Sequence, residues 1–191
     1  FYGKINVSVQ NTQEGDDSIS EVVSNNSRLG VKGKIDLKHG LQAVYQAEYQ
    51  FNADGDNNET FEGTDSLGGD TEVEGSEVFS QRNTFAGIKG GFGQVIVGNF
   101  DTPLKKAQKK VDLFNDLEGD IKSAISKSEK RKGNTVQYNT PKMAGLVATV
   151  ANISSEVDGG KDGLSSSLTF SKDKFYAAAA YDSDVRAEDV N

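Results

Sequence analysis

The sequence predicts an all-β fold of antiparallel strands, of the kind that closes into a membrane-spanning barrel. Apolar and polar residues alternate with a period of two along about nine segments of the 191 residues, as they do on strands whose side chains point to opposite faces. Short turns and long polar loops alternate between these segments, which is typical of transmembrane β-barrels. No run of about 18 apolar residues is present, so a helical membrane span is excluded.

The strands are predicted from this alternation and from the turn residues that bound it. In the first segment, 1–10, odd positions are apolar or glycine and even positions are mostly polar. The other strands are predicted at 27–37, 41–51, 79–89, 92–100, 134–140, 144–153, 165–171 and 175–182. Between them, Gly40, Gly90-Gly91, Pro141 and Lys172-Asp173-Lys174 mark short turns. The remaining segments are predicted long loops: 11–26, 52–78, 101–133 and 154–164.

The loop 101–133 differs from the others because it carries a helical pattern. Thr102 can cap a helix whose first position is Pro103. Apolar residues then recur at three- or four-residue spacing: Leu104, Ala107, Val111, Phe114, Ile121 and Ile125. The sequence therefore predicts a short helix in this loop, and a loop that packs against the rest of the protein.

Composition narrows the function classes without deciding the fold. The chain is 35% hydrophobic and 26% charged, which suits barrel strands that are half polar and suits a soluble β protein equally well. Its net charge of −8 disfavours nucleic acid as a partner, since a phosphate backbone attracts a basic surface. With no Cys and a single His in a turn, no catalytic constellation can be proposed. We expect no enzymatic activity and no cofactor.

Charged residues fall into a basic and an acidic group. Lys4, Arg28, Lys32 and Lys34 occupy the polar faces of the first two predicted strands. The loop 101–133 offers the acids Asp112, Asp116, Glu118 and Asp120. On a soluble sheet the basic residues would form an exposed stripe. In a barrel, a basic wall opposite an acidic loop would create a transverse field across a pore.

The loop 52–78 is acidic and contains no Lys or Arg. Asp54, Asp56 and Asn58 begin like a calcium-binding loop, but Glu59 stands where the sharp turn needs glycine. A solvated acidic loop is the better interpretation, and bound Ca²⁺ or Mg²⁺ in the acidic external loops is the weaker one. An alternative for the whole chain is a soluble secreted β-sandwich, a binding module with acidic calcium-binding loops.

Several segments resemble the general porins of Gram-negative bacteria, most closely the neisserial and proteobacterial branch. They are Phe-Tyr-Gly-Lys at 1–4, the segments 27–33, 40–48 and 82–93, and Asn-Thr-Val-Gln-Tyr-Asn-Thr-Pro at 134–141 followed by Ala144-Gly145. The motifs occur in the family's order and span nearly the whole chain.

The resemblance implies a barrel of roughly sixteen strands, a size that leaves an aqueous channel. It implies a homotrimer in the outer membrane of a Gram-negative bacterium, in contact with lipid and lipopolysaccharide, that passes small hydrophilic solutes and ions by diffusion. It also implies that 101–133 folds into the lumen as a constriction loop. The family's basic wall residues correspond to Lys4, Arg28 and Arg131, and its loop acids to Asp112 and Asp116.

Two features depart from the family pattern. Gly98-Asn99 stands where many porins have Gly-Arg, which puts one wall charge in doubt, so no ion selectivity is predicted. Nine strands cannot close a single-chain bacterial barrel, which uses an even number. An open edge in lipid would cost several kcal/mol for each unmet backbone group. We therefore expect residues 1–191 to form a single domain that is the N-terminal portion of a longer porin chain.

Overall fold

Antiparallel strands dominate the structure. The computed structural model describes residues 1–14, 17–54, 79–108, 111–112, 116–117 and 130–185. Its strands are β1 Tyr2–Lys4, β2 Val7–Glu14, β3 Asp17–Ser24, β4 Arg28–Asp36, β5 Gln42–Gln50, β6 Ser80–Gly90, β7 Gly93–Asp101, β8 Arg131–Asn139, β9 Leu146–Ile153, β10 Gly163–Lys172 and β11 Phe175–Ser183. Nine of these strands form one sheet in the order β1-β4-β5-β6-β7-β8-β9-β10-β11, with β1 and β11 at its edges. The predicted all-β antiparallel fold is confirmed.

The first predicted strand and the first predicted loop were wrong. The segment 1–10 does not form one strand, because the chain leaves the sheet after Lys4. Residues of the expected loop 11–26 instead form the separate hairpin β2–β3. Hydrogen bonds at its base explain the break: the Asn6 N–H donates to Ser27 Oγ at 3.0 Å, and the Asn25 N–H donates to Asn6 O at 2.7 Å. These contacts join residues distant in sequence, so local alternation could not reveal them.

The other strands begin or end within a few residues of their predicted bounds, and two differences affect the charged residues. Strand β8 begins at Arg131 rather than at 134, so Arg131 belongs to the sheet and not to a loop. Strand β7 extends to Asp101, which pairs with Arg131. The short turns are as expected, and His39 takes a left-handed conformation with a φ of 63° in the turn between β4 and β5.

The nine-stranded sheet has two unlike faces. One face carries the short helix α1, Pro103–Gln108. We call this the inner face of the sheet and the opposite one the outer face. Cross-strand partners share a face, so the register assigns the paired residues of this sheet to one side or the other. One row on the outer face is apolar across six strands: Ile35, Ala43, Ile88, Val95, Tyr138 and Val150. A row on the inner face contains Ile96, Gln137, Ala151, Ser165 and Asp182.

Burial is inverted relative to a soluble sheet. Buried polar side chains on the inner face include Glu48, Thr135, Gln137, Ser165 and Ser167. Large apolar side chains on the outer face each expose between 36% and 64% of their surface: Leu29, Ile35, Tyr45, Tyr49, Ile88, Val95, Val97, Val136, Tyr138, Leu146, Val150, Leu164, Leu168, Phe175 and Tyr181. An apolar band of this extent needs a covering, and lipid is what covers the outer face of a membrane barrel.

The predicted helix in the segment 101–133 is present as α1, Pro103–Gln108. Thr102 caps it as expected, with its Oγ1 accepting a hydrogen bond from the Lys105 N–H at 3.3 Å. Ala107 is buried, whereas Val111 exposes 61% of its surface, so of these two positions of the expected stripe only Ala107 is packed. Phe114, Ile121 and Ile125 lie outside the described residues. Within the described parts of the chain, no helix is both long and apolar enough to cross a membrane.

Candidate functional site

Glu48 of β5 is the centre of a charged cluster on the inner face. Its Oε2 accepts a hydrogen bond from the Tyr2 hydroxyl at 2.8 Å, and its Oε1 accepts one from Arg82 Nε at 2.9 Å. Arg28 Nε lies 4.0 Å from Oε2. The Glu48 side chain is only 8% exposed, so its charge is largely removed from water and is balanced by these two arginines.

The register explains why Tyr2 can reach this carboxylate. Tyr2 pairs with Gly30, and Gly30 pairs with Glu48 on the next strand. A Cβ at position 30 would lie 2.8 Å from Cζ of Tyr2, so only a glycine leaves room for the ring. The missing side chain thus lets Tyr2 lie across the middle strand to the carboxylate.

Arg82 enters the cluster through an irregularity of the sheet. The pairing of β5 with β6 shifts by one residue between Ala47 and Tyr49, which turns Arg82 towards Glu48 on the inner face. Its Nη1 also donates to Gln50 Oε1 at 2.5 Å and to Asn26 Oδ1 at 3.3 Å. Sequence reasoning missed Arg82, because strict alternation from Phe85 back along β6 would place an even-numbered residue on the outer face.

Asp116 links the segment after α1 to the first strands. Its Oδ2 lies 3.0 Å from Lys4 Nζ and 3.5 Å from Arg28 Nη1, and its Oδ1 accepts from Asn26 Nδ2 at 3.4 Å. The acid therefore touches the basic residues directly instead of facing them across an opening. We call Lys4, Tyr2, Asn26, Arg28, Glu48, Arg82 and Asp116 the central network.

A second charged cluster lies where β7 meets β8. Arg131 Nη2 lies 3.0 Å from Asp101 Oδ1, and Lys105 Nζ lies 3.9 Å from the same oxygen. Asn83 supports the pair: its Oδ1 accepts from the Asp101 N–H at 2.8 Å, and its Nδ2 donates to Asp101 Oδ2 at 3.2 Å. Sequence reasoning found Arg131 but not Asp101, which it placed in a loop.

The remaining predicted site residues lie in different surroundings. Among the described residues Lys32 forms no ion pair with an acid, and its Nζ lies over the Tyr2 ring, 4.8 Å from the centroid. Asp112 is buried, and its backbone N–H donates to Gln108 O at 3.2 Å beyond the end of α1. Glu118 and Asp120 lie outside the described residues. Their assigned roles stay predictions.

Of the predicted cation-site residues, Asp54 lies in the described part of the chain. Asp54 Oδ2 accepts a hydrogen bond from the Ser24 N–H at 2.7 Å, at the base of the β2–β3 hairpin. Asp56 and Asn58 lie outside the described residues. In the residues that are described, no three His, Cys, Asp or Glu side chains are grouped as metal ligands would be. A Ca²⁺ or Mg²⁺ site in the acidic loops stays a prediction.

Helix α1 is held on the inner face by polar contacts with the sheet. The Tyr176 hydroxyl donates to Ala107 O at 2.7 Å, and Lys106 Nζ donates to Gln137 Oε1 at 3.2 Å. The same Nζ lies 4.7 Å from the centroid of the fully buried Phe100 ring. The Lys106 residue as a whole is exposed, but its ammonium lies against the sheet. Desolvation there lowers the pKa of Lys106 to about 8, and the attraction of the Asp101 carboxylate opposes this shift.

Comparison with known proteins identifies the family of this chain. A family profile described as Gram-negative porin matches residues 1–190. The chain belongs to the Gram-negative porin family. The family and the relatives indicate that this porin lies in the outer membrane. They do not support the alternative of a soluble secreted β-sandwich.

Relatives and solved structures agree with this assignment. The major outer membrane protein P.IB of Neisseria gonorrhoeae is 30% identical over 135 residues, covering 69% of this porin chain and 33% of the relative. The P.IB protein of Neisseria meningitidis serogroup B, serotype 15, strain H44/76, is 31% identical over 139 residues, covering 68% and 33%. The chain thus spans about a third of the length of these curated relatives.

Two solved structures share the fold of this porin. The anion-selective porin from Comamonas acidovorans superimposes with a TM-score of 0.71 at 19% identity, covering 94% of this chain and 55% of that one. Salmonella typhi OmpF, in a complex with daunomycin, superimposes with a TM-score of 0.65 at 18% identity, covering 94% and 52%. The described sheet therefore has the strand arrangement of about half a porin.

Proposed function

We propose that the full-length protein forms a water-filled channel through which small hydrophilic solutes and ions diffuse passively across the outer membrane. The observation that carries this proposal is the inverted sheet, with polar and charged side chains gathered on the inner face and an apolar band on the outer face. A lipid-covered outer face and a wet inner face are what a channel of this kind needs. We expect no enzymatic activity.

We further propose that the segment 101–133 narrows this channel beside the central network. The contacts of Asp116 with Lys4 and Arg28 support this role, since they place a residue of that segment against the wall formed by β1 and β4. The position of α1 on the inner face supports it as well. A solute passing this point would meet fixed charges of both signs, which bias ion passage through a pore.

Planar-bilayer recording tests the channel. The full-length protein, refolded in detergent and added to one side of the membrane, should produce discrete steps of ohmic current. Heat-denatured protein at the same concentration is the control. If the refolded protein gives no steps above that control, the channel proposal is wrong.

The assembly proposed for the full-length porin is a homotrimer in lipid with lipopolysaccharide nearby. Family membership supports it. Trimers should migrate on gels as a species of about three times the monomer mass that converts to monomer on heating, and conductance should close in three equal steps. A single monomeric band in mild detergent, with single-step closure, would contradict the trimer.

A further inference from the structure

A cavity of about 320 Å³ lies between α1 and the inner face of β9, β10 and β11. None of its lining residues belongs to the central network or to the cluster around Asp101. Its volume is at the small end of the range for ligand pockets, which runs from about 300 to 1,000 Å³. The cavity is therefore a separate feature of the inner face, large enough for a small molecule.

The fold builds this cavity from one helix and three strands. The register pairs Thr149 with Ser167, and Val147 with Thr169, so that these four side chains point to the inner face. The hydrogen bond from Tyr176 to the Ala107 carbonyl holds α1 above them. Both sides of the cavity are thus positioned by contacts of the sheet.

The lining has the chemistry of a site for an organic anion. Lys106 on α1 and Lys142 in the turn before β9 are the two cationic residues of the lining, and no carboxylate is present among the described lining residues. The Lys106 ammonium donates one hydrogen bond to Gln137 Oε1 and keeps two further donors. The Ser167 hydroxyl adds a hydrogen-bond donor, whereas the Thr149 hydroxyl already donates to Asn139 Oδ1 at 3.0 Å. The remaining surface includes apolar groups from Pro103, Ala107 and Val147. An inorganic anion would leave these apolar groups uncovered.

We propose that this cavity is a transit site for a small organic carboxylate with an apolar body. Lys106 and Lys142 bind the carboxylate, and the apolar body packs against Pro103, Ala107 and Val147. The inference rests on the proposed channel function for the route by which the solute arrives. It does not depend on the channel for the binding step, which takes place on the inner face of the folded protein.

The test is a titration of the full-length protein in detergent with benzoate, a carboxylate with an apolar ring, followed by ligand-detected NMR or calorimetry. Benzoate should bind saturably. Lys142→Met should weaken binding about tenfold, as expected for one charge-assisted hydrogen bond, and Lys142→Arg should retain most of the affinity. Lys106→Met should weaken binding similarly. Lys142 is exposed, so its replacement should not impair folding, which the heat shift on gels checks.

Lys172→Met is the matched control. Lys172 ends β10 at the turn before β11, as Lys142 lies in the turn between β8 and β9, but Lys172 does not line the cavity. It should change benzoate affinity less than twofold. An equal loss of benzoate affinity in Lys172→Met and Lys142→Met would overturn the site, because it would show that the surface charge in general attracts benzoate. Inorganic phosphate binding as tightly as benzoate would overturn the role of the apolar lining.

The inference and the proposed function fail in different ways. Normal channel steps without saturable benzoate binding would overturn the cavity site and leave the channel intact. Saturable binding that Lys142→Met weakens, from a protein that forms no channels, would support the site and overturn the proposed function.

Discussion

Removal of the Glu48 carboxylate should destabilise the folded protein severely. Arg82 Nε lies 2.9 Å and Arg28 Nε lies 4.0 Å from its oxygens, and the Arg82 and Arg28 side chains are only 11% and 16% exposed. At an effective dielectric constant of about 20, one unit-charge pair at about 4 Å is worth about 4 kcal/mol. Breaking a buried pair from one side costs about 3–5 kcal/mol, because the remaining charge stays buried without its partner.

The expected loss for Glu48→Ala is near the lower end of this range, about 3 kcal/mol. Arg82 keeps two other acceptors, Gln50 Oε1 and Asn26 Oδ1, which compensate part of its lost partner. A loss of this size lowers the folding equilibrium constant about a hundredfold, since each 1.4 kcal/mol is a factor of ten. Reversible urea unfolding of the full-length protein in thin lipid vesicles, followed by circular dichroism and gel mobility, measures it.

Asp36→Ala is the control for this experiment. The Asp36 carboxylate accepts a hydrogen bond from Gln42 Nε2 at 2.7 Å, but the pair is exposed, so its loss should cost less than about 1 kcal/mol. The double variant Glu48→Ala/Arg82→Met should be destabilised by less than the sum of its single changes, because it removes the unpaired cation as well. Equal costs for Glu48→Ala and Asp36→Ala, or strict additivity in the double variant, would refute the buried pairing.

Three further predictions concern charge and the two faces of the sheet. Asp116→Asn should shift the reversal potential towards anions, because two basic side chains lose their counter-ion. Glu156→Gln, which changes an exposed loop contact, should leave the reversal potential unchanged, and equal shifts in the two variants would contradict the role of Asp116. Since the pKa of Lys106 is about 8, its positive charge is lost as pH rises from 7 to 9. Over that interval the anion preference of the channel should fall and the free energy of unfolding should rise. Lys106→Met should abolish both changes, and their persistence in this variant would contradict the assignment of the titration to Lys106. Val97→Arg, on the outer face at 48% exposure, should lower the free energy of unfolding in lipid by about 2–4 kcal/mol. Gln94→Arg, on the inner face of the same strand, should lower it by under about 1 kcal/mol. The reverse order in urea unfolding in vesicles would show that the two faces are misassigned.

Local signals accounted for most strands and for the helix. Alternation predicted eight of the nine sheet strands nearly at their observed bounds, because a period of two reports directly which face each side chain occupies. Thr102 and Pro103 predicted α1 because capping and a fixed φ act within one turn of helix. The β2–β3 hairpin was missed, because the alternation of 1–10 continues without a break from β1 into β2 and the base of the hairpin is set by contacts of Asn6, Asn25 and Ser27.

The charged site was predictable only in part, for a related reason. Lys4, Arg28 and Asp116 were named as candidates from their charge and from the family resemblance, and the structure shows that Asp116 contacts the other two. Arg82 was missed because a one-residue shift in the β5–β6 pairing reverses its face. Glu48 lay on the expected polar face of its strand, but no local pattern distinguished it from Gln46 and Gln50.

By itself, the sequence determined the strand periodicity, the two faces of the sheet, the short helix and the porin family, because all of these depend on neighbouring residues or on motifs read in order. Only the tertiary structure decided which charges meet. The pairing of Arg82 with Glu48 joins residues 34 positions apart, and that of Lys4 with Asp116 joins residues 112 positions apart. Such contacts depend on the register between strands and on the path of the segment after α1, and neither leaves a periodic signal in the chain.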